Sequence, residues 1–425
     1  MQNLLKGLRI VEGSAFIAAP SGGMTLAQLG ADVIRFDQIG GGIDYRRWPI
    51  TGQGKSLYWH SLNKGKRSIA VDFRKPEGRE LLARLICAPG DDTGLFLTNF
   101  PARGWLSYDA LKQQREDLIY LNLTGDRHGG SALDYTVNAR VGVPYLNGVT
   151  PLNSALPAWD VIAGQQIALG LLAAERHRSR TGEGQFIKLA LADVALATMG
   201  HLGYLAEAQI NEQQRPPMGN HIFGTFGHDF VCADGERVMI VGVSPNQWQA
   251  IITVTDCADS VAALALELCL NLDKEGDRFA ARERLQTLFA PWFAARSSAQ
   301  VHAALDAAGV CWGPYQTLTQ LVANDVECST ENPLFSSIDQ PGIGSVLTPS
   351  QPLNFGAIAT AEPKPAPRLG EHTDEILSEL LGMSSAVIES PILGLIRMFA
   401  SRAISHRLRL ARFLFRLISV SLLAN

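Results

Sequence analysis

An aspartate at the start of the longest helical pattern is the strongest candidate for chemistry in this sequence. Asp160 follows Pro157-Ala-Trp159 and directly precedes an apolar helical pattern over Val161–Arg178. At this N-cap position a carboxylate can accept backbone N–H groups and stabilise the helix by ~1 kcal/mol. The positive end of the helix also favours the anion, which can attack an electrophilic carbonyl. The two roles can coexist.

Three further polar segments carry groups that can bind a ligand. Asn63-Lys-Gly-Lys-Arg-Ser68 is a basic loop before a predicted strand, and it is either a phosphate-binding loop or a solvated turn. Asp44-Tyr-Arg-Arg-Trp-Pro49 places two arginines beside aromatic residues; they can hold a carboxylate or form an ion pair with Asp44. Asn99-Phe-Pro-Ala-Arg103 follows a predicted strand, where ligands of α/β sheets bind, but it is also compatible with a simple turn.

Several well-known site motifs are missing from the sequence. The turn after the first predicted strand has no Gly-x-Gly-x-x-Gly, which disfavours a nicotinamide dehydrogenase. There is no Gly-Lys-Ser/Thr phosphate loop and no Gly-x-Ser-x-Gly elbow. The nine histidines form no His-Glu-x-x-His pair, so the sequence predicts no metal site.

The overall charge and the cysteines narrow the class of protein. Across 425 residues, 37 Lys and Arg nearly balance 41 Asp and Glu, which argues against binding nucleic acid by bulk charge. The six cysteines include no pair two residues apart, so neither a disulfide scaffold nor a zinc ribbon is expected. The first residues lack the apolar stretch of a secretory signal. We therefore expect a cytoplasmic, enzyme-sized protein.

The candidate residues must be positioned by alternating strands and helices. Short β-branched apolar runs predict six strands, which are Leu8–Glu12, Ala31–Phe36, Ser68–Asp72, Leu95–Thr98, Leu118–Leu123 and Phe186–Leu191. Amphipathic helical patterns such as Pro76–Ile86 separate them. This alternation predicts an α/β fold with a Rossmann-like parallel sheet.

Shifts in composition predict the domain boundaries. Residues 1–215 form the first part of a large α/β domain, 216–326 a smaller α+β domain with a hairpin at Asp234-Gly235, and 327–390 a segment that returns to the large domain. Residues 391–425 hold six arginines and no acid, and the apolar stretches between the arginines are too short to span a bilayer. This tail is a basic amphipathic helix on a membrane surface, a disordered appendage or a translated non-native reading frame, and we favour the last two.

Many short segments, in order, resemble the family III CoA-transferases. They are Leu4–Glu12, Leu26–Arg35, Asn63–Ile69 with Asp72, Pro76–Glu80, Thr98–Phe100, Asp160 with its helix, Arg180–Gln185 and Pro367–Leu377. The resemblance covers about residues 4–390. It implies a homodimer of two interlocked subunits and an acyl-CoA substrate, with CoA entering as part of that substrate and no permanently bound cofactor.

The resemblance also implies roles for single residues. Asp160 would be the nucleophile that attacks a thioester carbonyl. CoA contacts would fall on Lys66, Asn99, Phe100 and Arg103. They would also involve Phe16-Ile17, which stands where the family usually has Val-Gln.

Two further segments have expected roles at the substrate. The Gly219–Gly224 stretch, with Gly219 and Asn220, would cover Asp160 as a lid or else act as a domain hinge. Arg47 is our candidate for holding a second carboxylate of the substrate.

Four segments resemble one subgroup of the family more closely, and they are Val11–Thr25, Gly40–Trp48, Phe100–Tyr108 and Leu156–Asp160. That subgroup moves CoA between the two carboxyl groups of one diacid, from 2-methylfumaryl-CoA to 3-methylfumaryl-CoA. The alternatives are transfer to a separate carboxylic acid, a racemase and a non-catalytic CoA-binding scaffold. A racemase is disfavoured because the Gly-His-Asp stretch of that branch is Ala132-Leu-Asp134 here.

Overall fold

The computed structural model describes residues 4–358 and 361–384. The arginine-rich tail, 391–425, and the end of the predicted return segment therefore lie outside the described residues. No helix in the described part is both long and apolar enough to cross a bilayer.

The strands and helices alternate through the first half of the chain, as expected. The strands are β1 (Arg9–Gly13), β2 (Asp32–Asp37), β3 (Arg67–Ala70), β4 (Leu95–Thr98), β5 (Ile119–Thr124), β6 (Gln185–Ala190), β7 (Phe226–Val231), β8 (Arg237–Gly242), β9 (Cys311–Pro314), β10 (Phe335–Gln340) and β11 (Gly344–Pro349). The helices are α1 (Ala18–Gln28), α2 (Leu57–Leu62), α3 (Pro76–Ile86), α4 (Tyr108–Lys112), α5 (Asp134–Arg140), α6 (Pro144–Asn147), α7 (Ala158–Thr181), α8 (Leu191–His201), α9 (Tyr204–Asn211), α10 (Pro245–Thr255), α11 (Ala258–Leu268), α12 (Glu275–Ala280), α13 (Arg282–Ala294), α14 (Ser298–Ala308), α15 (Leu318–Asn324) and α16 (Thr373–Leu381).

A parallel sheet of six strands positions the candidate residues. Within the described residues its order is β3-β2-β1-β4-β5-β6, with every neighbouring pair parallel. This confirms the predicted Rossmann-like α/β class. Strands β1, β2, β4 and β5 are buried on both faces, which is why they read as continuous apolar runs rather than alternating ones, whereas the edge strand β6 is mostly half-buried. Their carboxyl ends meet along one edge, so the turns after β1, β4 and β5 lie side by side.

Helices α1 and α7 cross at very short range beside the sheet. A Cβ added to Gly164 would lie 2.1 Å from Ser21 Oγ, and one added to Gly22 would lie 2.7 Å from Ile167 Cγ2. Glycine at both positions therefore allows the two backbones to approach closely. The crossing fixes α7, whose first turn contains Asp160, against α1, the helix that follows β1.

The chain divides into two units. The second consists of Gly142–Asn153 and Ala206–Asp325, and the first contains the remaining described residues. The division differs from the predicted domains, because it falls after Leu205 rather than after residue 215 and assigns Gly142–Asn153 to the second unit. In the second unit, β7, β8 and β9 form an antiparallel sheet with its own apolar core. The predicted Asp234-Gly235 hairpin joins β7 to β8.

Candidate active site

A cavity of about 330 Å³ opens at the carboxyl ends of β1, β4 and β5, within the first unit. Asp160 lines it, and the remaining lining residues are Ala15, Phe16, Ala18, Asn99, Phe100, Pro101, Leu123, Thr124, Gly125, Gly129, Gly130, Ser131, Ala132, Leu133 and Leu191. The cavity therefore brings together Asp160, Phe16, Asn99 and Phe100 from the predicted site residues. Its wall is largely apolar, with the acid of Asp160 on one side.

Asp160 lies inside the first turn of α7 and is not the N-cap residue that the sequence suggested. The helix begins at Ala158, and Pro157 occupies the N-cap position without a side-chain cap. The capping acid comes from elsewhere in the chain, since Asp134 Oδ2 accepts the backbone N–H of Asp160 at 3.0 Å. The Asp160 carboxyl is thereby released from capping and available to the cavity.

The surroundings of Asp160 raise its pKa to about 7. Burial is the larger cause, because it disfavours the charged form, and the nearby charge of Asp134 adds to it. Burial also raises the pKa of Asp134, opposed by the N–H groups of Asp160 and Trp159. We expected the helix terminus to keep Asp160 ionised. Both causes oppose the stabilisation of the anion by the helix terminus.

An exposed arginine contacts two aromatic rings, and one of them, Phe16, lines the same cavity as Asp160. The Arg47 guanidinium carbon is 5.4 Å from the centre of the Phe16 ring and 5.5 Å from the centre of the Tyr58 ring. Arg47 has no carboxylate within ion-pair distance among the described residues, and Asp44 pairs with Arg35 instead, at 3.2 Å. The interpretation of Arg47 as a structural ion pair with Asp44 was therefore wrong.

The charges of Arg47 and Asp160 both act on the hydroxyl of Tyr58. Burial raises the Tyr58 pKa, which Arg47 opposes and Asp160 reinforces. Tyr58 therefore stays a neutral hydroxyl at physiological pH. Its neighbour Phe16 has a φ of 67°, a left-handed conformation that is costly for a bulky residue and that occurs mostly where function requires it.

The predicted CoA contacts that follow β1 and β4 have different surroundings. The Asn99 side chain accepts the Ala15 N–H at 2.9 Å and donates to the Ala15 carbonyl at 2.8 Å. Its amide therefore holds the turn that carries Phe16. Phe100 lines the cavity, whereas Ile17 and Arg103 do not; Arg103 is exposed just before a 3-10 helix, Gly104–Leu106.

Lys66 lies in the core rather than on a phosphate-binding surface. Its ammonium donates to Glu12 Oε1 at 2.8 Å, to the Pro20 carbonyl at 2.8 Å and to Asn63 Oδ1 at 3.0 Å. These three bonds use all three of its hydrogens. Burial lowers the Lys66 pKa to about 8, with Glu12 opposing. A contact with CoA would require Lys66 to give up these partners.

The two predicted lid residues belong to the second unit. Gly219 has a left-handed φ of 55°, and the Asn220 amide donates to Asp229 Oδ1 at 2.8 Å. Their role over Asp160 stays a prediction. No group of three or more His, Cys, Asp or Glu side chains that could hold a metal ion was found among the described residues.

Comparison with known proteins identifies the family. The model of CoA-transferase family III matches residues 5–373. The chain belongs to CoA-transferase family III. It is 58% identical over 393 residues to the 2-methylfumaryl-CoA isomerase of Chloroflexus aurantiacus, covering 91% of this chain and 96% of that protein.

More distant relatives agree with this membership. A succinyl-CoA:mesaconate CoA-transferase of Haloarcula hispanica is 27% identical, covering 91% of this chain and 99% of that protein. The crystal structure of a CaiB/BaiF family protein from Brucella suis superposes with a TM-score of 0.71 at 27% identity, covering 89% of this chain and 100% of that one.

Two residues of the site were missed or undervalued in the sequence. Asp134 served only to argue against a racemase, because nothing in its local sequence links it to Asp160, 26 residues later. Tyr58 carried no signal at all, since a tyrosine in a short helix is usually a packing residue. An acid that begins a helix directly after a polar loop was the available sign for Asp134.

Proposed function

We propose that this protein transfers CoA within one diacid, converting 2-methylfumaryl-CoA to 3-methylfumaryl-CoA with Asp160 as the nucleophile. The observation that carries the proposal is an acid, freed from helix capping, that lines a cavity at the carboxyl edge of the sheet. The 58% identity to a protein named for this reaction supports the choice of substrate.

The first half of the reaction moves the acyl group and then CoA onto the enzyme. An ionised Asp160 oxygen forms a bond to the C1 thioester carbonyl, and the C–S bond breaks to release the CoA thiolate. The thiolate then attacks the aspartyl carbonyl of the mixed anhydride. An aspartyl-CoA thioester forms and the C1 carboxylate leaves, so that one hard transfer is divided into two acyl exchanges.

The second half reverses these steps on the other carboxyl group. The C4 carboxylate attacks the aspartyl thioester, forms a new anhydride and releases the thiolate. Attack of the thiolate on the C4 carbonyl gives 3-methylfumaryl-CoA and regenerates ionised Asp160. The diacid must stay bound and turn between the halves, so a cation for its spare carboxylate is needed. Arg47, held between Phe16 and Tyr58 without an acid partner among the described residues, supplies that cation.

Isotope labelling tests the intramolecular route. Purified protein is given 2-methylfumaryl-CoA together with a molar excess of ¹³C-labelled free 2-methylfumarate. We expect an unlabelled product and the same rate without the free acid. Label in the product, or turnover that needs the acid, would replace this proposal with intermolecular transfer, the activity that the name of the Haloarcula relative describes.

Two sets of variants test the named residues. Asp160→Asn should lower kcat by at least about a thousandfold, because no acyl acceptor remains. Hydroxylamine trapping followed by peptide mass spectrometry should modify Asp160 in the wild type alone. Arg47→Ala should lower kcat/KM by roughly 10 to 100-fold, while Arg46→Ala, which removes an equally exposed arginine, keeps wild-type kinetics. Unchanged kinetics in Arg47→Ala would remove Arg47 from the site.

The proposal includes a homodimer acting in the cytoplasm. Large apolar side chains are exposed on α7 and directly after α8, including Leu169 at 61% and Leu202 at 62%, and a second copy of the chain would cover them. All six cysteines are free, as a reducing compartment favours. Light scattering coupled to size exclusion should give twice the chain mass, and a monomer at micromolar concentration would contradict the assembly.

A further inference from the structure

A second, smaller cavity lies apart from the reaction cavity, where the β10–β11 hairpin meets α2. Its volume is about 60 Å³, enough for one small ion or a few water molecules. Apolar side chains such as Leu57, Ile343 and Val346 form much of its wall, and Lys64 and His60 are the titratable residues of its lining. The cavity is therefore a small, largely apolar chamber with a cation in its wall.

Lys64 is a buried cation without an acid partner. The residue is 8% exposed, and its Nζ donates to the Pro349 carbonyl at 3.4 Å, a long bond that uses one of three hydrogens. No acid of the described residues lies within ion-pair distance of Lys64. Burial lowers the Lys64 pKa to about 8, so most of the side chains are still charged at pH 7. A buried charge of this kind is costly unless an anion compensates it.

His60 adds a hydrogen-bond donor to the same lining. The Gln340 side chain pairs with the backbone of Ala366, since its Oε1 accepts the Ala366 N–H at 2.9 Å and its Nε2 donates to the Ala366 carbonyl at 2.9 Å. The other hydrogen on Gln340 Nε2 meets His60 Nδ1, 3.1 Å away, which must accept it. Burial lowers the His60 pKa, and the neutral ring then carries its own hydrogen on Nε2.

The acid next to this lining in sequence does not enter it. Asp339 precedes Gln340 but is exposed and lies opposite Ser345 in the hairpin, and alternation along β10 puts the two neighbours on different faces. Helix α1, which packs against α2, contains no acid. The other charge that acts on His60 is also positive, that of Lys55. The described lining therefore offers positive charge and N–H donors to a ligand.

We propose that this cavity binds a small monovalent anion such as chloride, held by the Lys64 ammonium and the Nε2–H of His60. The anion supplies the negative charge that the buried ammonium needs, and the single charge of Lys64 favours a monovalent ion. Because the lining comes from α2 and from the β10–β11 hairpin, a bound anion joins two distant parts of the chain. Its effect is on stability and not on the transfer chemistry at Asp160.

Chloride-dependent unfolding tests the site in solution. The full chain is unfolded with urea at about pH 7 and constant ionic strength, with chloride replaced by gluconate, which is too large for the cavity. For a site half-filled at about 10 mM, the unfolding equilibrium constant should fall about tenfold between about 1 and about 100 mM chloride. Lys64→Met should abolish this response, and Lys6→Met, which removes an exposed lysine, should keep it.

A second variant keeps the test decisive if Lys64→Met does not fold. Ser61 lines the cavity and is exposed, so Ser61→Asp adds a carboxylate to the lining at little cost in packing. This internal anion should remove the chloride response as well. The wild-type response should also weaken as pH rises above about 8, because a neutral amine does not attract an anion. A wild type that does not respond to chloride, or a response that persists in either variant, would overturn the proposal.

Anomalous diffraction locates the ion. Crystals of the protein grown with bromide in place of chloride should give an anomalous peak within hydrogen-bond distance of Lys64 Nζ. Bromide peaks at other places and none in this cavity would contradict the assignment. Because Asp160 does not line the cavity, such a result would leave the proposed function intact.

Discussion

Acids shielded from water occur on two sides of the turn that follows β1, fully buried on one side and half-buried on the other, and their neighbours differ. On one side Glu12, Asp37 and Asp44 lie with Arg35 and Lys66 in a charge network, with Arg35 2.9 Å from Asp37 and Lys66 2.8 Å from Glu12. On the other side Asp160 lies beside a second acid, and no cation of the described residues lowers its pKa.

The comparison shows that neighbouring cations decide whether an acid shielded from water is structural or reactive. Burial alone disfavours charge in both places. Cations within hydrogen-bond distance turn the first group into a fixed part of the core, and Arg35 also donates to the Ser14 carbonyl at 3.0 Å within that turn. Without such a cation, Asp160 keeps a proton to about pH 7 and remains available as a nucleophile when that proton leaves.

Removing a cation from the charge network should have the largest effect on stability. Lys66→Met leaves Glu12 buried without its ammonium, and we expect the free energy of unfolding to fall by about 4 kcal/mol. Urea denaturation followed by circular dichroism measures it, with the exposed Lys6→Met as the control. Equal stability of the two variants would show that the network does not depend on this charge.

Removing the reactive acid should stabilise the protein at high pH. Folded Asp160 keeps its proton up to about pH 7, whereas the unfolded chain loses it near 3.8, so the folded state binds more protons in that window. Stability from this group is therefore present below the lower value and lost as pH rises through the upper one. Asp160→Asn should match the wild type at about pH 4 and exceed it by about 2 kcal/mol at about pH 8. A variant that is less stable at the higher pH would contradict the assignment.

The side-chain amide of Asn99, which lies between the two regions, should contribute less to the free energy of unfolding. Asn99→Ala removes both hydrogen bonds to Ala15, and we expect a loss of about 1–2 kcal/mol. Thermal and urea unfolding measure this loss. Asn99→Asp, which can still accept the Ala15 N–H, should lose less, and identical values would mean that only the donated bond matters.

An ion pair on the surface gives the smallest expected effect. Glu267→Gln breaks a bidentate pair with Arg284 whose two partners are about half exposed, at 55% and 53%. Solvent screens such pairs, so the urea midpoint should not move measurably. A clear shift of the urea midpoint would mean that exposed ion pairs also stabilise this protein.

The sequence predicted the sheet better than the site, for a physical reason. A run such as Leu95–Thr98 becomes a strand because its own residues are apolar and β-branched or aromatic, so β4 has the predicted bounds. The start of α7 was misplaced because its cap, Asp134, lies in a different helix. Lys66 looked like a phosphate ligand, but its partner Glu12 is 54 residues away. Local patterns describe local structure, whereas the partners of a buried charge depend on the whole fold.

The glycine contact between α1 and α7 restricts how this pocket can change during evolution. Neither Gly22 nor Gly164 has space for a side chain, so the wall behind Asp160 cannot be rebuilt by single substitutions. In the Gly125–Leu133 loop, which lines the cavity, Gly125 and Gly130 are crowded in the same way, whereas Ser131, Ala132 and Leu133 already carry side chains that can be exchanged. Mutant libraries that aim to widen the range of accepted diacids should randomise Ser131, Ala132 and Leu133 and leave the crowded glycines and the helix crossing unchanged.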